Sequence, residues 1–103
     1  MSFEECLKLC QQCAVDCDHC LAKMTGMASN NACPRCCAEC AATCRLCVEL
    51  LALGSDHAAE ACRLCASVCD WCASQCGEHD HDHCQRCAES CRKCAEACRK
   101  MAA

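Results

Sequence analysis

The stretch CLKLCQQCAVDCDHC, residues 6–20, sets five cysteines at intervals of four, three, four and three. Each residue of an α-helix advances about 100°, so Cys6, Cys10, Cys13, Cys17 and Cys20 fall within an arc of roughly 80°. Thiols stand where an amphipathic helix ordinarily carries leucine. The spacing predicts a helix, and the question is what a face of sulfur is for.

The stripe recurs three times, so the sequence is an internal repeat. The second run holds Cys33, Cys36, Cys37, Cys40, Cys44 and Cys47; the third holds Cys62, Cys65, Cys69, Cys72 and Cys76; the fourth holds Cys84, Cys87, Cys91, Cys94 and Cys98. These runs contain all 21 cysteines. The only glycines, Gly26, Gly54 and Gly77, each follow one of the first three runs, where a left-handed residue that ends a helix is expected. The only proline, Pro34, falls where the second helix begins, a position that tolerates a missing N–H. Alanine, leucine, glutamate, lysine and arginine fill most other positions and favour helix. Short connections make neighbouring helices antiparallel. The expected fold is an all-α, antiparallel four-helix bundle with cysteines lining the core, one domain over residues 1–103.

Composition limits what such a core is for. The hydrophobic fraction is 54%, but leucine, valine and phenylalanine together supply only twelve of the 103 residues. Without the cysteines there is hardly a core to bury. A net charge of −4, with ten Lys and Arg spread along the chain, argues against nucleic acid or an anionic membrane as partner. The charged residues read as solvated helix faces. Glu4, Glu5, Lys8, Asp16, Asp18 and Lys23 interrupt residues 1–25, which carry no apolar run of the signal-peptide kind, and no membrane span is evident. A cytoplasmic protein is expected. Thiols are kept reduced there, which points to metal or redox chemistry before disulfides.

Cysteine is often buried as a small apolar residue, but sulfur at nearly every core position would leave voids in a purely structural core. Disulfides fit poorly: the cysteine count is odd, and neighbours three or four apart on a helix have Cβ atoms about 5–6 Å apart, against the roughly 3.8 Å of an unstrained bridge. CLKLCQQC and CASVCDWC match the C-x3-C-x2-C pattern of iron–sulfur radical enzymes, yet every run matches it, so the pattern follows from helical periodicity. Iron–sulfur proteins of the ferredoxin type take their ligands from closer-set cysteine runs. Zinc needs four ligands, and several Zn(Cys)4 units stacked in one core accumulate buried negative charge. Cu(I) fits better. It is soft, prefers thiolate and accepts two or three ligands; with bridging thiolates and about one ion per sulfur the core is neutral. Sequestration of other soft metals and iron–sulfur electron transfer remain the alternatives.

On all four cysteine runs, from Cys6 to Cys98, the chain resembles the bacterial copper storage proteins. The resemblance implies a four-helix bundle that stores or buffers many Cu(I) ions in its core, in an oligomer, with ions admitted at one end. Members without a leader are cytosolic, and this chain is similar to those.

The antiparallel order indicates which end is the mouth. Residues 20–37 and 72–87 share one end, which collects Met24, Met27, Cys33, Cys76, His79, His81 and His83. Met24 lies four residues beyond Cys20 and extends the thiol ladder with a thioether, a soft ligand. GEHDHDHC, residues 77–84, sets three histidines in an acidic connection suited to loose capture of a metal ion. The opposite end extends the inward stripes to Phe3, Leu51, Ala58 and Met101 and is expected to be plugged. His19 and His57 point roughly 140° from their stripes and are expected on the surface. Leu64, Val68 and Trp71 form a second stripe outside the thiol arc, which packs either inside the bundle's flank or against another subunit as a homo-oligomer interface. No histidine is placed to activate one particular thiol among 21, so no enzyme is expected. The copper donor or acceptor is not legible.

Overall fold

The computed structural model describes residues 2–103. It contains four helices, α1 (Phe3–Met24), α2 (Arg35–Ala52), α3 (Ala58–Gly77) and α4 (Asp82–Ala102), and no strand among the described residues. None of these helices is long and apolar enough to cross a membrane. α1 and α3 each pack against α2 and α4, which closes a square bundle measuring 41 × 18 × 17 Å. Thiol pairing shows the antiparallel order. From Cys10 to Cys13, Cys17 and Cys20 along α1, the partners on α4 run backwards through Cys98, Cys91, Cys87 and Cys84.

The ends of the helices follow from local chemistry, with one exception. Ser2 caps α1 by accepting a hydrogen bond from the Glu5 amide, and Glu4 and Glu5 complement the positive end of the helix dipole. Pro34 caps α2, its carbonyl accepting from the Cys37 amide. α2 ends with Ser55 N–H bonded to the Leu50 carbonyl and Gly54 N–H to that of Leu51, a pattern that requires the left-handed φ of +64° at Gly54. Gly26, past α1, has φ +85°. Gly77 departs from expectation: it is the last residue of α3 and has no positive φ. The chain leaves α3 through two tight bonds, Glu78 N–H to Gln75 and His79 N–H to Cys76, so no left-handed residue is needed. A Cβ there would meet Arg92 Nη2 at an ordinary 3.5 Å.

Every cysteine is fully buried. Alanines fill the seams between the helices, among them Ala14, Ala41, Ala66, Ala73, Ala88 and Ala95, and their small side chains let the thiols of facing helices touch. The outer faces carry charge as expected, including the interhelical pairs Arg45–Asp18 and Arg99–Asp70. Both are about half exposed and contribute little stability. Asp16 is the exception to the solvated-charge reading. It is buried in the α1–α4 seam, where it accepts hydrogen bonds from Gln12 and Ser90 and faces Arg86.

The end opposite the mouth is only partly as expected. Leu51 is buried, and Ala58 and Met101 pack half-buried against the core. Phe3 does not plug it, being 41% exposed. Helical side chains tilt toward the N-terminus, so a large group on the first helical residue projects past the end of the bundle.

Candidate metal centre

The interior is a column of thiols with no other polar side chain among them. Because cysteines recur at about one per turn on each helix, facing helices bring them together in overlapping groups. Cys20, Cys37, Cys76 and Cys87 form one near the mouth; Cys17, Cys72, Cys87 and Cys91 lie below it. Cys13, Cys40, Cys44 and Cys69 follow, then Cys10, Cys47, Cys65 and Cys98, with the sulfurs of each group within 4.8 Å of one another. Cys87 belongs to two groups and Cys13 to more than one, so the column is continuous.

The sulfurs are close but not bonded. Between helices, Cys37–Cys76 and Cys40–Cys69 approach to 3.4 Å, Cys17–Cys87 to 3.5 Å and Cys10–Cys94 to 3.6 Å. Along a helix, Cys65–Cys69 are 3.7 Å apart and Cys72–Cys76 3.8 Å. A disulfide needs about 2.05 Å, and all 21 cysteines are free. Sulfurs bound to one ion by 2.3 Å bonds in a tetrahedron lie about 3.8 Å apart. The column therefore has ligand spacing before any ion arrives.

Burial is the main influence on three thiols near the ends of the column, Cys33, Cys62 and Cys84. It pushes Cys33 up to about 11 and Cys62 up to about 12, and it raises Cys84 as well. Deeper in, hydrogen bonds among thiols decide the direction. Cys69 is raised through Cys13, and Cys72 through Cys17, with burial acting the same way. Bonds of the same kind lower others: Cys13 through Cys17, Cys36 through Cys37, Cys65 through Cys10 and Cys87 through Cys17. Cys6 is lowered to about 3 by hydrogen bonds with Cys10 and Cys98, and Cys20 to about 6 by hydrogen bonds with Cys37 and Cys76, to which His83 adds.

The mouth residues divide into groups that reach the column and groups that do not. Met24 is almost fully buried at 1% exposure, directly above Cys20 on α1. His83 is half-buried, its Nδ1 lying 3.6 Å from Cys20 Sγ and 3.5 Å from Cys84 Sγ. His81 stacks on His83 with ring centroids 5.2 Å apart, and His79 stacks on His81 at 6.2 Å. The three imidazoles thus form a ladder from the thiols outward. His79 Nε2 is held by Asn31 Oδ1 at 3.0 Å and Ser29 Oγ at 3.2 Å, and Asn31 also donates to the Gln75 carbonyl and to Glu78. These bonds tie the α1–α2 connection to the end of α3. Met27 lies exposed on the rim. His19 and His57 are on the surface, as their helical angle requires.

Sequence reasoning placed the column but missed two contacts. Nothing distinguished His83 from His79 or His81, although adjacency to Cys84 in the first turn of α4 was the available signal. Asp16, three residues after Cys13, falls only about 60° from it around the helix, at the edge of the stripe.

Comparison with known proteins agrees with this geometry. A "Cysteine-rich protein YhjQ" of Bacillus subtilis (strain 168), described as uncharacterized, is 43% identical over 103 residues, covering 97% of this chain and 95% of that one. The structure of "Cu(I)-bound Copper Storage Protein BsCsp3" matches with a TM-score of 0.93 and 42% identity, over 99% of this chain and all of that one. Apo copper storage protein 3 from Bacillus subtilis also matches at 0.93, with 44% identity over the same shares. The family described as "Csp: Copper storage protein" matches residues 1–103. A column of buried, unpaired thiols in a four-helix bundle, found together with these likenesses, makes the chain a member of the copper storage protein family.

Proposed function

We propose that this chain stores Cu(I), many ions per chain, on the thiolates of its core. The observation that carries the reading is the continuous column of fully buried thiols at ligand spacing. Shared sulfurs such as Cys13 and Cys87 suit bridging thiolates, and a Cu(I) ion with two or three sulfur ligands can occupy any neighbouring set. One ion per thiolate leaves the interior neutral, whereas a divalent ion on four thiolates leaves a charge of −2 with no cation in the core to balance it. The equal likeness to a metal-free and a Cu(I)-bound relative supports loading without rearrangement of the bundle.

Cys6 to Cys98 are the ligands in this reading, residues 1–103 act as one storage domain, and the role is sequestration without catalysis. Ions pass the mouth at Met24 and the ladder of His79, His81 and His83; the buried Leu51 closes the far end. Free thiols throughout suit the reducing cytoplasm. Val68 of the sequence-predicted stripe packs partly buried against the core, which leaves Leu64, 51% exposed, and Trp71, 36% exposed, to offer an outer face for another copy of the chain. Anaerobic titration with Cu(I) against a competing chelator, beside a parallel Zn(II) titration, tests the storage reading. Saturation is expected at on the order of ten to twenty Cu(I) per chain, since bridging lets each thiolate serve more than one ion. Saturation at one to four ions would refute it.

A further inference from the structure

The connection from α1 to α2 is longer than the gap it spans requires. Residues 25–34 make it ten residues long, against four for the connection 78–81 at the same end of the bundle and five for 53–57 at the other. Four residues suffice to join neighbouring helices here, and the extra length lies over the end of the column. Met24, the last residue of α1, is 1% exposed, and Cys33, just ahead of α2, is fully buried with its Sγ 3.7 Å from that of Cys76. Groups at the open end of a bundle are buried only where something lies across them.

One side chain fastens this segment. Asn31 Nδ2 donates to the Gln75 carbonyl and to Glu78 Oε1, both at 2.9 Å, and its Oδ1 accepts from the Cys33 amide and from His79 Nε2, both at 3.0 Å. Both amide protons and both lone pairs are thus engaged. The Ala32 amide adds a bond of 2.8 Å to Gln75 Oε1. Upstream the segment is loosely held: among the described residues, the bonds of Thr25 and Met27 run only back onto α1. Gly26, at φ +85°, has nothing within 4 Å of the place a Cβ would take, so the chain can pivot there. A cleft of about 630 Å³, lined by Met27, Cys33, Pro34 and Trp71 among others, leaves space beside the segment for it to lift. We infer that residues 25–33 form a strap over the mouth, latched to the end of α3 by Asn31, and that release of this latch limits the rate at which Cu(I) crosses the mouth. The inference rests on the storage reading and adds a kinetic control to it. Asn31 has no soft ligand atom to offer Cu(I), so the latch raises the barrier to uptake and release by one factor and leaves affinity unchanged.

Stopped-flow transfer of Cu(I) to and from a competing chelator, in the reduced full chain and in Asn31→Ala, tests it. Asn31→Ala should speed uptake and release alike by about tenfold, which is about 1.4 kcal/mol and near the net contribution of one hydrogen bond, with affinity and capacity unchanged. Asn31→Asp keeps the acceptor but loses both donors, and should behave like Asn31→Ala. Ser55→Ala removes a bond to the His57 amide in the connection at the opposite end and should leave both rates as they are. Circular dichroism checks each fold. Hydrogen exchange in the metal-free wild-type chain needs no substitution: the Ala32 and Cys33 amides should exchange well before those in the middle of α2, because the strap opens without the bundle. Rates unchanged in a folded Asn31 variant, affinity lost in place of a rate gained, or Ala32 and Cys33 amides as slow as the middle of α2 would each overturn the inference. Failure of the storage reading would appear separately, as a low Cu(I) saturation of the wild-type chain.

Discussion

Loading the column with Cu(I) must expel protons, and the structure sets how many. The 21 thiols are fully buried in a core with no cationic side chain, and burial pushes Cys33 up to about 11 and Cys62 up to about 12 from an ordinary 9.0. Raising a thiol by two to three units adds about 3–4 kcal/mol to the cost of forming a bare thiolate. At neutral pH such thiols are protonated, so each that becomes a ligand gives up about one proton. Full loading should release up to 21 protons per chain, and fewer to the extent that thiols lowered by hydrogen bonds from their neighbours, Cys6, Cys20, Cys13, Cys65 and Cys87 among them, are already ionised. A weakly buffered, oxygen-free protein solution titrated with Cu(I) in a pH-stat measures this directly. Proton release should track copper bound from the first equivalent, and affinity should weaken as pH falls. Release of fewer than about half as many protons as there are ligating thiols would show that the core is ionised before metal arrives, and the burial argument would be wrong.

The same shifts predict alkaline sensitivity. Because folding raises Cys33 and Cys62, their contribution to stability is fully present below about 9 and lost as pH rises through about 11–12; circular dichroism of the reduced, metal-free chain should show a helical bundle at pH 7 that melts progressively lower above pH 9. Asp16→Ala removes charge-assisted bonds from Ser90 and Gln12 in the α1–α4 seam and should cost about 2 kcal/mol in urea unfolding of the metal-free chain. An effect below about 0.5 kcal/mol would mean that the seam is held by its alanines alone. Replacing His79, His81 and His83 together should slow Cu(I) transfer to a chelator in stopped flow, while Leu51→Ala should cost about 2–5 kcal/mol of stability and leave the rate nearly alone. Phe3→Ala should cost less than about 1 kcal/mol, since Phe3 is 41% exposed. A changed rate in the Leu51 variant with none in the histidine variant would reverse the polarity of the bundle.

What the residues disclosed depended on whether the signal was periodic. Four stripes of cysteine specify four helices, and their inward direction follows because no other face is apolar enough to bury. Gly26 and Gly54 end their helices as a residue with free access to positive φ should. Gly77 fails that rule because a helix can also end through three-residue bonds, which no residue type announces. Phe3 fails because angular position says nothing about where along the axis the core stops. Asp16 and His83 depend on partners from α4 or α1, and contacts between helices leave no trace in the periodicity of one. Asp16 is legible only once Ser90 faces it, and His83 only once Cys20 does.

The alternation of four and three that runs through the stripes, interrupted only by the adjacent Cys36 and Cys37, covers seven residues in two helical turns. Seven residues fall about 20° short of two full turns, so a longer sequence with the same alternation would wind its sulfur face slowly around the axis, and four such helices would coil left-handedly to keep the faces together. Within that coil, lengthening every helix by seven residues would add eight thiols without a new kind of contact. The reservoir is in this sense a wire of adjustable length, and its volume is a matter of counting turns.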